Sequence, residues 1–364
     1  MNQKLRVIAL YLPQFYPNPE NDAWWGKGYT EWVSVANAKP LFPGHYQPRI
    51  PADLGFYDLR LPESREAQAR LASQHGVEGF CYWHYWFGNG RQLLERPFKE
   101  VLESGRPDFP FCLAWANHPW YKKLWGGDHR DDKLLIDQQY PGEEDHIKHF
   151  FSLLPAFKDQ RYIRVEGKPL FAIFVRFPGI QQFIELWQKL AVENGLPGIY
   201  FVDHYKNDAD ADLLKEIFSV GFDAINPCNI LSIHSRRSGL WKALLKAGQM
   251  LGLPRVYDYR KAMRYVINPH VDQENIFPSV IPNWDHSPRS GRNGIILHHS
   301  TPAFFKDHCK EVFERIKHKP FDKRIVFIKS WNEWGEGNYM EPDQRFSSGY
   351  LQALKEAIDE LEID

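Results

Sequence analysis

The stretch "RIVFIKSWNE" (residues 324–333) begins as a run of β-forming residues and turns polar at its end. Other short apolar runs with the same polar ending lie at 7–15, 76–87, 109–117, 169–177, 198–204, 221–228 and 277–285. Near-continuous hydrophobicity is typical of strands that are buried on both faces of a parallel sheet. The sequence therefore predicts eight buried strands.

Helical patterns separate most of these runs, with clear examples at 62–76, 180–195 and 347–362. The first two end in Gly76 and Gly195, and glycine is a common helix stop. Strands that alternate with helices predict a (β/α)8 barrel of the TIM type with right-handed crossovers.

We find no internal repeat, low-complexity segment or flexible linker, so the sequence predicts a single barrel domain over residues 1–364. Two insertions, at about 16–60 and 229–276, would form long loops after the first and sixth strands. Charge is nearly balanced, at −1 with neutral histidines, which argues against nucleic acid as the main partner.

The four cysteines form no CxxC pair, which indicates buried free thiols in a reducing compartment. The N-terminal apolar run is too short for a signal peptide, and no stretch approaches the ~20 apolar residues of a membrane span. We therefore expect a soluble, cytoplasmic protein.

Active sites of TIM-type barrels lie at the C-terminal ends of the strands. The predicted strand ends supply Gln14, Trp83, His84, Tyr85, Trp86, Asn117, His118, Arg176, Asp203, His204, Asn226, Asn283, Trp284, Asp285 and Asn332. Amides, imidazoles, carboxylates and aromatic rings with few cations suit a neutral polyhydroxylated ligand. A phosphate would call for a glycine-rich loop or an Arg/Lys cluster, which these ends do not show.

Aromatic residues are abundant, with 13 Trp, 17 Tyr and 25 Phe, and flat sugar faces are a natural partner for such rings. The first insertion carries Trp24, Trp25, Glu31 and Trp32. Loop aromatics either pack their loop or form a binding wall. We favour the wall because Glu31 stands beside them, and we add Trp334 and Tyr339 to the predicted substrate-binding set.

Glu333 ends the eighth run, and Glu336 lies three residues beyond it. Side chains three residues apart in a helical turn lie about 5–6 Å apart at Cβ, and carboxyls about 5–5.5 Å apart typify retaining glycosidases. Two close carboxylates resist joint ionisation, and Trp331 and Trp334 should dehydrate them. We expect one protonated acid and one base or nucleophile; the alternative is two solvated surface glutamates.

Metal and cofactor sites are not indicated. Asp203-His204 and Asp285-His286 look like ligand or triad fragments, but neighbouring strand residues point to opposite faces. Residues 234–265 carry eight Arg or Lys and one Asp, which mostly indicates a solvated helical face. A weak association with an anionic membrane surface is the alternative there. The oligomeric state stays open.

Five motifs give the chain a specific resemblance: "YLPQFYPNPENDAWWGKGYTEW", "GFCYWHYWFGNGRQLLERP", "PDFPFCLAWAN", "PNWDHSPR" and "WNEWGEGNYMEPD". The sequence resembles the WbsX-type family of polysaccharide biosynthesis proteins over nearly its whole length. That family is often labelled as glycosyltransferases, yet it is similar in fold and motif to glycoside hydrolase family 99, the endo-α-mannosidases.

The resemblance implies an unusual retaining mechanism. A carboxylate removes the proton of the substrate's 2-hydroxyl, which attacks the anomeric carbon and gives an anhydro-sugar. Carried over by motif position, Glu333 is the base and Glu336 the general acid/base. The chain departs from the family pattern at "WANHPW", where His118 replaces an expected glutamate, and this puts the sugar preference there in doubt.

Three functions therefore compete. The first is a glycoside hydrolase or transglycosidase that acts on an α-linked bacterial oligosaccharide or polysaccharide. The second is a glycosyltransferase of O-antigen or capsule biosynthesis, which would need a nucleotide-sugar site. The third is a barrel that binds glycans without cutting them. The sugar, its linkage and endo or exo action stay undetermined.

Overall fold

The computed structural model describes residues 4–122, 133–204, 210–228, 230, 232–235 and 238–363. All eight predicted runs contain a strand of one sheet, which confirms the barrel prediction. These strands are β1 (Arg6–Tyr11), β2 (Gly79–Trp86), β3 (Phe111–Trp115), β4 (Lys168–Ile173), β5 (Tyr200–Asp203), β6 (Ala224–Ile225), β7 (Ser279–Val280) and β8 (Ile325–Ile328).

The eight strands are parallel and lie in the order β6-β5-β4-β3-β2-β1-β8-β7. Ala9 in β1 pairs with Ile328 on one side and Phe80 on the other, so both chain ends meet in the middle of the sheet. The circle closes between β6 and the residues before β7. There the Ile225 amide donates to the Asn275 carbonyl at 2.9 Å, and the Phe277 amide donates to the Ile225 carbonyl at 2.8 Å.

The three predicted helices are confirmed at Pro62–Gln74, Ile180–Glu193 and Gly349–Asp359. The other α-helices in the described ranges are Pro19–Trp25, Glu31–Asn37, Arg96–Ser104, Glu143–Lys158, Ala211–Ser219, Ser232–Ser235, Gly239–Met250, Tyr259–Val266, Ser287–Ser290 and Pro302–Ile316. Within the layer between helices and sheet, Trp187 is fully buried against Phe171 and Phe183 at ring distances of 5.0 and 4.6 Å. Burial of such a side chain stabilises the fold by about 1.5–3 kcal/mol.

Several short strands outside the barrel were not predicted. Arg255–Asp258, Ile295–His298 and Trp284–Asp285 form a three-stranded sheet, and Trp120–Lys122 pairs with Lys133–Ile136. Two-residue strands lie at Gln92–Leu93, Arg164–Val165, Asn332–Glu333 and Asn338–Tyr339. The seventh run is therefore split, because its last two residues belong to the small sheet rather than to the barrel.

The first insertion folds back onto the barrel through a buried carboxylate. Asp285 Oδ2 accepts hydrogen bonds from Gln47 at 2.7 Å and pairs with His45 Nε2 at 2.8 Å. The four cysteines are free and buried, as predicted. Of the helices in the described part of the chain, none is both long and apolar enough to cross a membrane.

Candidate active site

A short hairpin presents the two glutamates of the WNEWGEG motif. Asn332–Glu333 pairs antiparallel with Asn338–Tyr339, and a single 3-10 turn, Trp334–Glu336, joins them. Gly337 closes this turn with a φ of +54°, and a Cβ there would lie 2.7 Å from the side chain of Asp285. A larger residue at 337 therefore has neither the backbone freedom nor the space that this turn needs.

Both glutamates line a cleft of about 850 Å³ at the C-terminal ends of the strands. A volume of this size is typical of small-molecule sites. The aromatic lining comes from the first insertion, from β2, from the hairpin after β3 and from the end of β4. These rings are Trp25, Tyr29, Trp83, Tyr85, Trp120, Tyr121 and Phe174.

Glu333 lies on the floor of the cleft and is almost completely buried, at 6% exposure. Trp83 Nε1 donates a hydrogen bond of 3.0 Å to Glu333 Oε1. Burial, together with the neighbouring charge of Glu336, raises the pKa of Glu333 to about 8, although Lys329 and Arg289 oppose this shift. At neutral pH, Glu333 is therefore the protonated partner.

Glu336 is ionised because a cation holds it. Arg289 Nη1 donates to Glu336 Oε1 at 2.6 Å, and His286 Nε2 lies 3.4 Å from the same oxygen. Burial alone would raise the pKa of Glu336, but Arg289 and then His286 hold it well below its usual range. The two carboxyl groups also interact with each other, so a proton and a negative charge stand side by side.

Arg289 joins the hairpin to the first insertion, since its Nε also donates to Glu31 Oε2 at 3.0 Å. This contact depends on Gly335, because a Cβ at that position would overlap the carboxylate of Glu31. The floor of the cleft is thus a network of three carboxylates around one guanidinium, which can hold and move a proton without large motions.

Comparison with known proteins places this chain in a family. A family model described as "Glycosyltransferase WbsX" matches residues 7–354. The chain belongs to the WbsX family. It is 36% identical to an uncharacterized protein WxcX of Xanthomonas campestris pv. campestris, strain B100, over 363 residues, and equally so to WxcX of strain ATCC 33913. The match covers 97% of the chain but 49% of WxcX, so the chain spans about half the length of these curated relatives.

Solved structures share the fold of this WbsX family member. The GH99 endo-α-mannosidase from Bacteroides thetaiotaomicron, in complex with bis-tris-propane, superposes with a TM-score of 0.59 at 17% identity. The superposition covers 98% of this chain and 97% of that one. A "glycoside hydrolase-like protein" gives a TM-score of 0.57 at 15% identity, with 98% and 94% covered. At such identities the likeness is one of fold.

Eight of the residues predicted for the site of this WbsX chain line the cleft. They are Gln14, Trp25, Glu31, Trp83, Tyr85, His118, Glu333 and Glu336. His118, the position that departs from the family pattern, packs against the ring of Phe174 at 5.1 Å. These eight residues remain the proposed catalytic and substrate-binding set.

Strand β2 corrects the prediction that four consecutive residues face the ligand. Trp83 and Tyr85 line the cleft, whereas His84 and Trp86 point to the opposite face. His84 Nε2 is 2.8 Å from His149 Nε2, and Trp86 Nε1 donates to Asp145 at 2.9 Å. Side chains alternate along a strand, so the two groups could not share one surface.

Four predicted amides hold the barrel together instead of lining the cleft. Asn117 bonds the amide and the carbonyl of Val175, and Asn226 donates to the Phe277 carbonyl at 2.6 Å. Asn283 bonds the backbone of Tyr339, and Asn332 accepts from Leu12 N at 2.7 Å and donates to Leu12 O. Each satisfies backbone groups where a strand ends, as buried polar groups must be satisfied.

Other predicted residues also lie outside the cleft lining. Asp285 anchors the first insertion, as described above. Burial alone would raise its pKa, but His45 and Arg49 hold the pKa well below the usual range. Asp203 lies 3.5 Å from Arg176, and Arg176 also bonds Glu216 at 2.8 Å.

The remaining predicted rings form the layer behind the cleft wall. Tyr339 stacks on Trp334 at 3.7 Å, and Trp32 packs against Trp334 at 5.5 Å. His204, Trp24 and Trp284 contact Trp83, Trp120 and Lys329, respectively. The prediction that these side chains bind substrate directly is corrected, because none of them lines the cleft; all are buried except Trp24, which is half-buried.

Sequence reasoning missed three cations of the cleft, Lys39, Arg289 and Lys329. Lys329 follows β8 directly, with its ammonium 5.9 Å from the Trp83 ring and 5.6 Å from the Trp284 ring. A lysine at the end of an apolar barrel strand was a usable signal. Arg289 is the last residue of the quoted motif PNWDHSPR, but its contact with Glu336 depends on how the loop after β7 folds.

Proposed function

We propose that this chain is a retaining carbohydrate-active enzyme that cleaves an α-linked glycan or transfers it to another hydroxyl. One observation carries the proposal: two interacting carboxyl groups, one protonated and one ionised, lie on the floor of an aromatic cleft at the strand ends of a barrel. Paired carboxyls with separated pKa values are the working parts of glycoside cleavage. The α-linkage rests on the fold shared with endo-α-mannosidases.

The resting protonation state bears on the roles of the two residues. If Glu333 is the base for the 2-hydroxyl and Glu336 the acid, the reactive form needs the proton on Glu336. The two side chains interact, so this form requires one short proton transfer. Lys329 favours the ionised form of Glu333, whereas Arg289 resists protonation of Glu336.

From that reactive form the first step needs no acid or base other than the two glutamates. Glu333 takes the proton of the 2-hydroxyl, the 2-oxygen bonds to the anomeric carbon, and the leaving oxygen takes the proton of Glu336. The products are the anhydro-sugar, protonated Glu333 and ionised Glu336. This is the protonation state favoured in the free site, so the environment stabilises the residues as they stand at the intermediate.

In the second step water or a sugar hydroxyl attacks the anomeric carbon and gives its proton to Glu336. The 2-oxygen recovers a proton from Glu333, and the sugar keeps its original anomeric configuration. The aromatic walls, including Trp25 and Trp120, would stack on sugar rings and exclude bulk water. His118 would contact the sugar in place of a carboxylate.

The test is a panel of α-linked bacterial oligosaccharides and polysaccharides, with release of new reducing ends as the readout. Glu333→Gln and Glu336→Gln should both be nearly inactive, while Glu63→Gln, at an exposed helical position, is the matched control. A substrate without a free 2-hydroxyl should not react. Full turnover by Glu336→Gln on a natural substrate would contradict the proposal.

A glycosyl fluoride separates the two roles, because fluoride leaves without a general acid. We expect this substrate to rescue the first step in Glu336→Gln and not in Glu333→Gln. Rescue of Glu333→Gln alone would exchange the assigned roles while the enzyme class stands.

The family name favours a glycosyltransferase as the second candidate. Calorimetry decides between them, since a transferase would bind a nucleotide-sugar tightly while the hydrolase or transglycosidase would not. Glycan binding without product after long incubation would instead indicate a non-catalytic barrel.

A further inference from the structure

The second insertion carries an amphipathic helix whose apolar side faces outward. Among the described residues, fifteen large apolar side chains are exposed, and six of them lie within 240–253. They are Leu240, Trp241, Leu244, Met250, Leu251 and Leu253. None of the residues of the helix Gly239–Met250, all of which are described, is buried. Such a concentration of exposed apolar surface marks an interaction site.

The helix attaches to the protein along one edge. Trp241 stacks on Tyr257 at 6.0 Å, and Leu245, one turn later, packs against the small core of the insertion. With 3.6 residues per turn, Leu240, Leu244 and Leu251 fall on one stripe, about 100° around the helix from Trp241 and Leu245. Their exposed fractions are 74%, 63% and 79%, so this stripe has no cover from the described chain.

Basic residues share this segment. Lys242 and Lys246 lie on the opposite face of the same helix, about 140–180° around it from the leucine stripe, and Arg260, Lys261 and Arg264 are exposed on the next helix. The acid of this segment, Asp258, is engaged because its side chain accepts from the Lys261 amide at the start of that helix. Arg236 and Arg237, which the sequence adds to this group, lie outside the described residues.

A helix with an apolar stripe on one face and lysines on the other, followed by a basic helix, fits an anionic lipid surface better than a protein partner. The leucines can enter the boundary between headgroups and acyl chains while the cations remain at the phosphates. Each basic side chain near such a surface strengthens binding about fivefold. We propose that residues 239–264 form a docking surface for anionic membranes.

The position of this surface matters for the cleft. Arg292 Nη1 donates to the Gly252 carbonyl at 2.9 Å, just beyond the helix, and Ser290 and Gly291 line the cleft. A membrane-docked molecule would therefore hold its cleft beside the lipid surface, where it can reach glycans attached to lipids. Docking itself does not depend on the proposed cleavage chemistry.

Co-sedimentation with vesicles tests the inference, using phosphatidylcholine alone and phosphatidylcholine mixed with phosphatidylglycerol. The full chain should bind the mixed vesicles, more weakly at high salt, and leave the neutral ones largely unbound. The variant Leu240→Ser/Leu244→Ser/Leu251→Ser should lose at least tenfold in binding. The matched control Leu61→Ser/Phe151→Ser/Val192→Ser changes exposed apolar residues elsewhere and should bind like the parent.

A second variant, Lys246→Gln/Lys261→Gln/Arg264→Gln, tests the charges and should weaken binding strongly while thermal unfolding stays unchanged. Equal binding by the serine variant and the parent would overturn the inference. A parent protein that does not bind the mixed vesicles would also overturn it. So would a parent protein that is a dimer when the serine variant is a monomer, as measured by sedimentation velocity of both proteins.

Discussion

Two carboxylate sites lie within nine residues of the WNEWGEGNYME segment, and they serve different ends. Glu341 accepts hydrogen bonds from Trp334 Nε1 at 2.6 Å, Tyr57 at 2.9 Å and Gln68 at 2.6 Å. Glu333 and Glu336 instead face the cleft and each other. All three are acidic residues of one segment, yet protein donors occupy both carboxyl oxygens of Glu341, whereas the pair borders the open space of the cleft.

Burial alone therefore does not mark a reactive carboxyl. Burial raises the pKa of Glu341 to about 7 and that of Glu333 to about 8. Glu341 is surrounded by protein groups that leave no approach for a ligand, whereas Glu333 borders a sugar-sized space. Accessibility and a second carboxyl of opposite protonation distinguish the reactive site.

The largest expected effect comes from the pair. Glu333→Gln and Glu336→Gln should each lower turnover by about 10²–10⁴, since each removes a proton-transfer group. Glu333→Gln should leave the denaturation midpoint unchanged or higher, because a neutral amide replaces a carboxyl whose ionised form is disfavoured. A Glu333→Gln or Glu336→Gln variant that loses stability but keeps its turnover would contradict this, because the pair would then have the structural role that we assign to Glu341.

The next effect is on stability at Glu341. Glu341→Met keeps the side-chain length but removes the acceptor of three buried donors, which should cost about 3 kcal/mol or more of unfolding free energy. Urea denaturation measures this cost. Folded Glu341→Met protein should retain turnover; if too little folds, Glu341→Gln offers a milder change. Unchanged stability would mean that the donors find other partners.

The pH dependence of stability follows from the same groups. Glu333 and Glu341 hold protons up to about pH 8 and 7, whereas in the unfolded chain they release them near pH 4.5. The folded state therefore binds more protons in this interval, and the free energy of unfolding falls as pH rises from 5 to 8, by about 1–3 kcal/mol for each group. Glu341→Gln should flatten this fall, and a rise with pH would contradict it.

The smallest effect concerns the donor to Glu333. Trp83→Phe keeps an aromatic wall but removes the Nε1 hydrogen bond, which favours the ionised carboxylate. The pKa of Glu333 should move upward by less than about one pH unit, with a matching shift in the pH profile of turnover. The variant Trp120→Phe, which keeps a ring elsewhere in the cleft, is the control.

Much of the fold was accessible from the sequence, because each barrel strand is a local apolar run with a polar end. The glutamate pair was accessible for the same reason, since Glu333 ends the run that contains β8. The partners of the pair were not, because Arg289 and Glu31 reach it from loops more than 250 residues apart in the chain. His84 was assigned wrongly, because a polar residue at the end of a strand faces the cleft only if it lies on the correct face of that strand.

The central claim is that Glu333 and Glu336 share the cleft floor with one proton between them, held by Glu333. Carbon-13 NMR of side-chain carboxyls in glutamate-labelled protein, assigned with Glu333→Gln and Glu336→Gln, tests it without a known substrate. We expect the resonance of Glu333 to titrate near pH 8, while Glu336 stays ionised well below pH 4.5. Two resonances that both titrate near pH 4.5 would contradict the account.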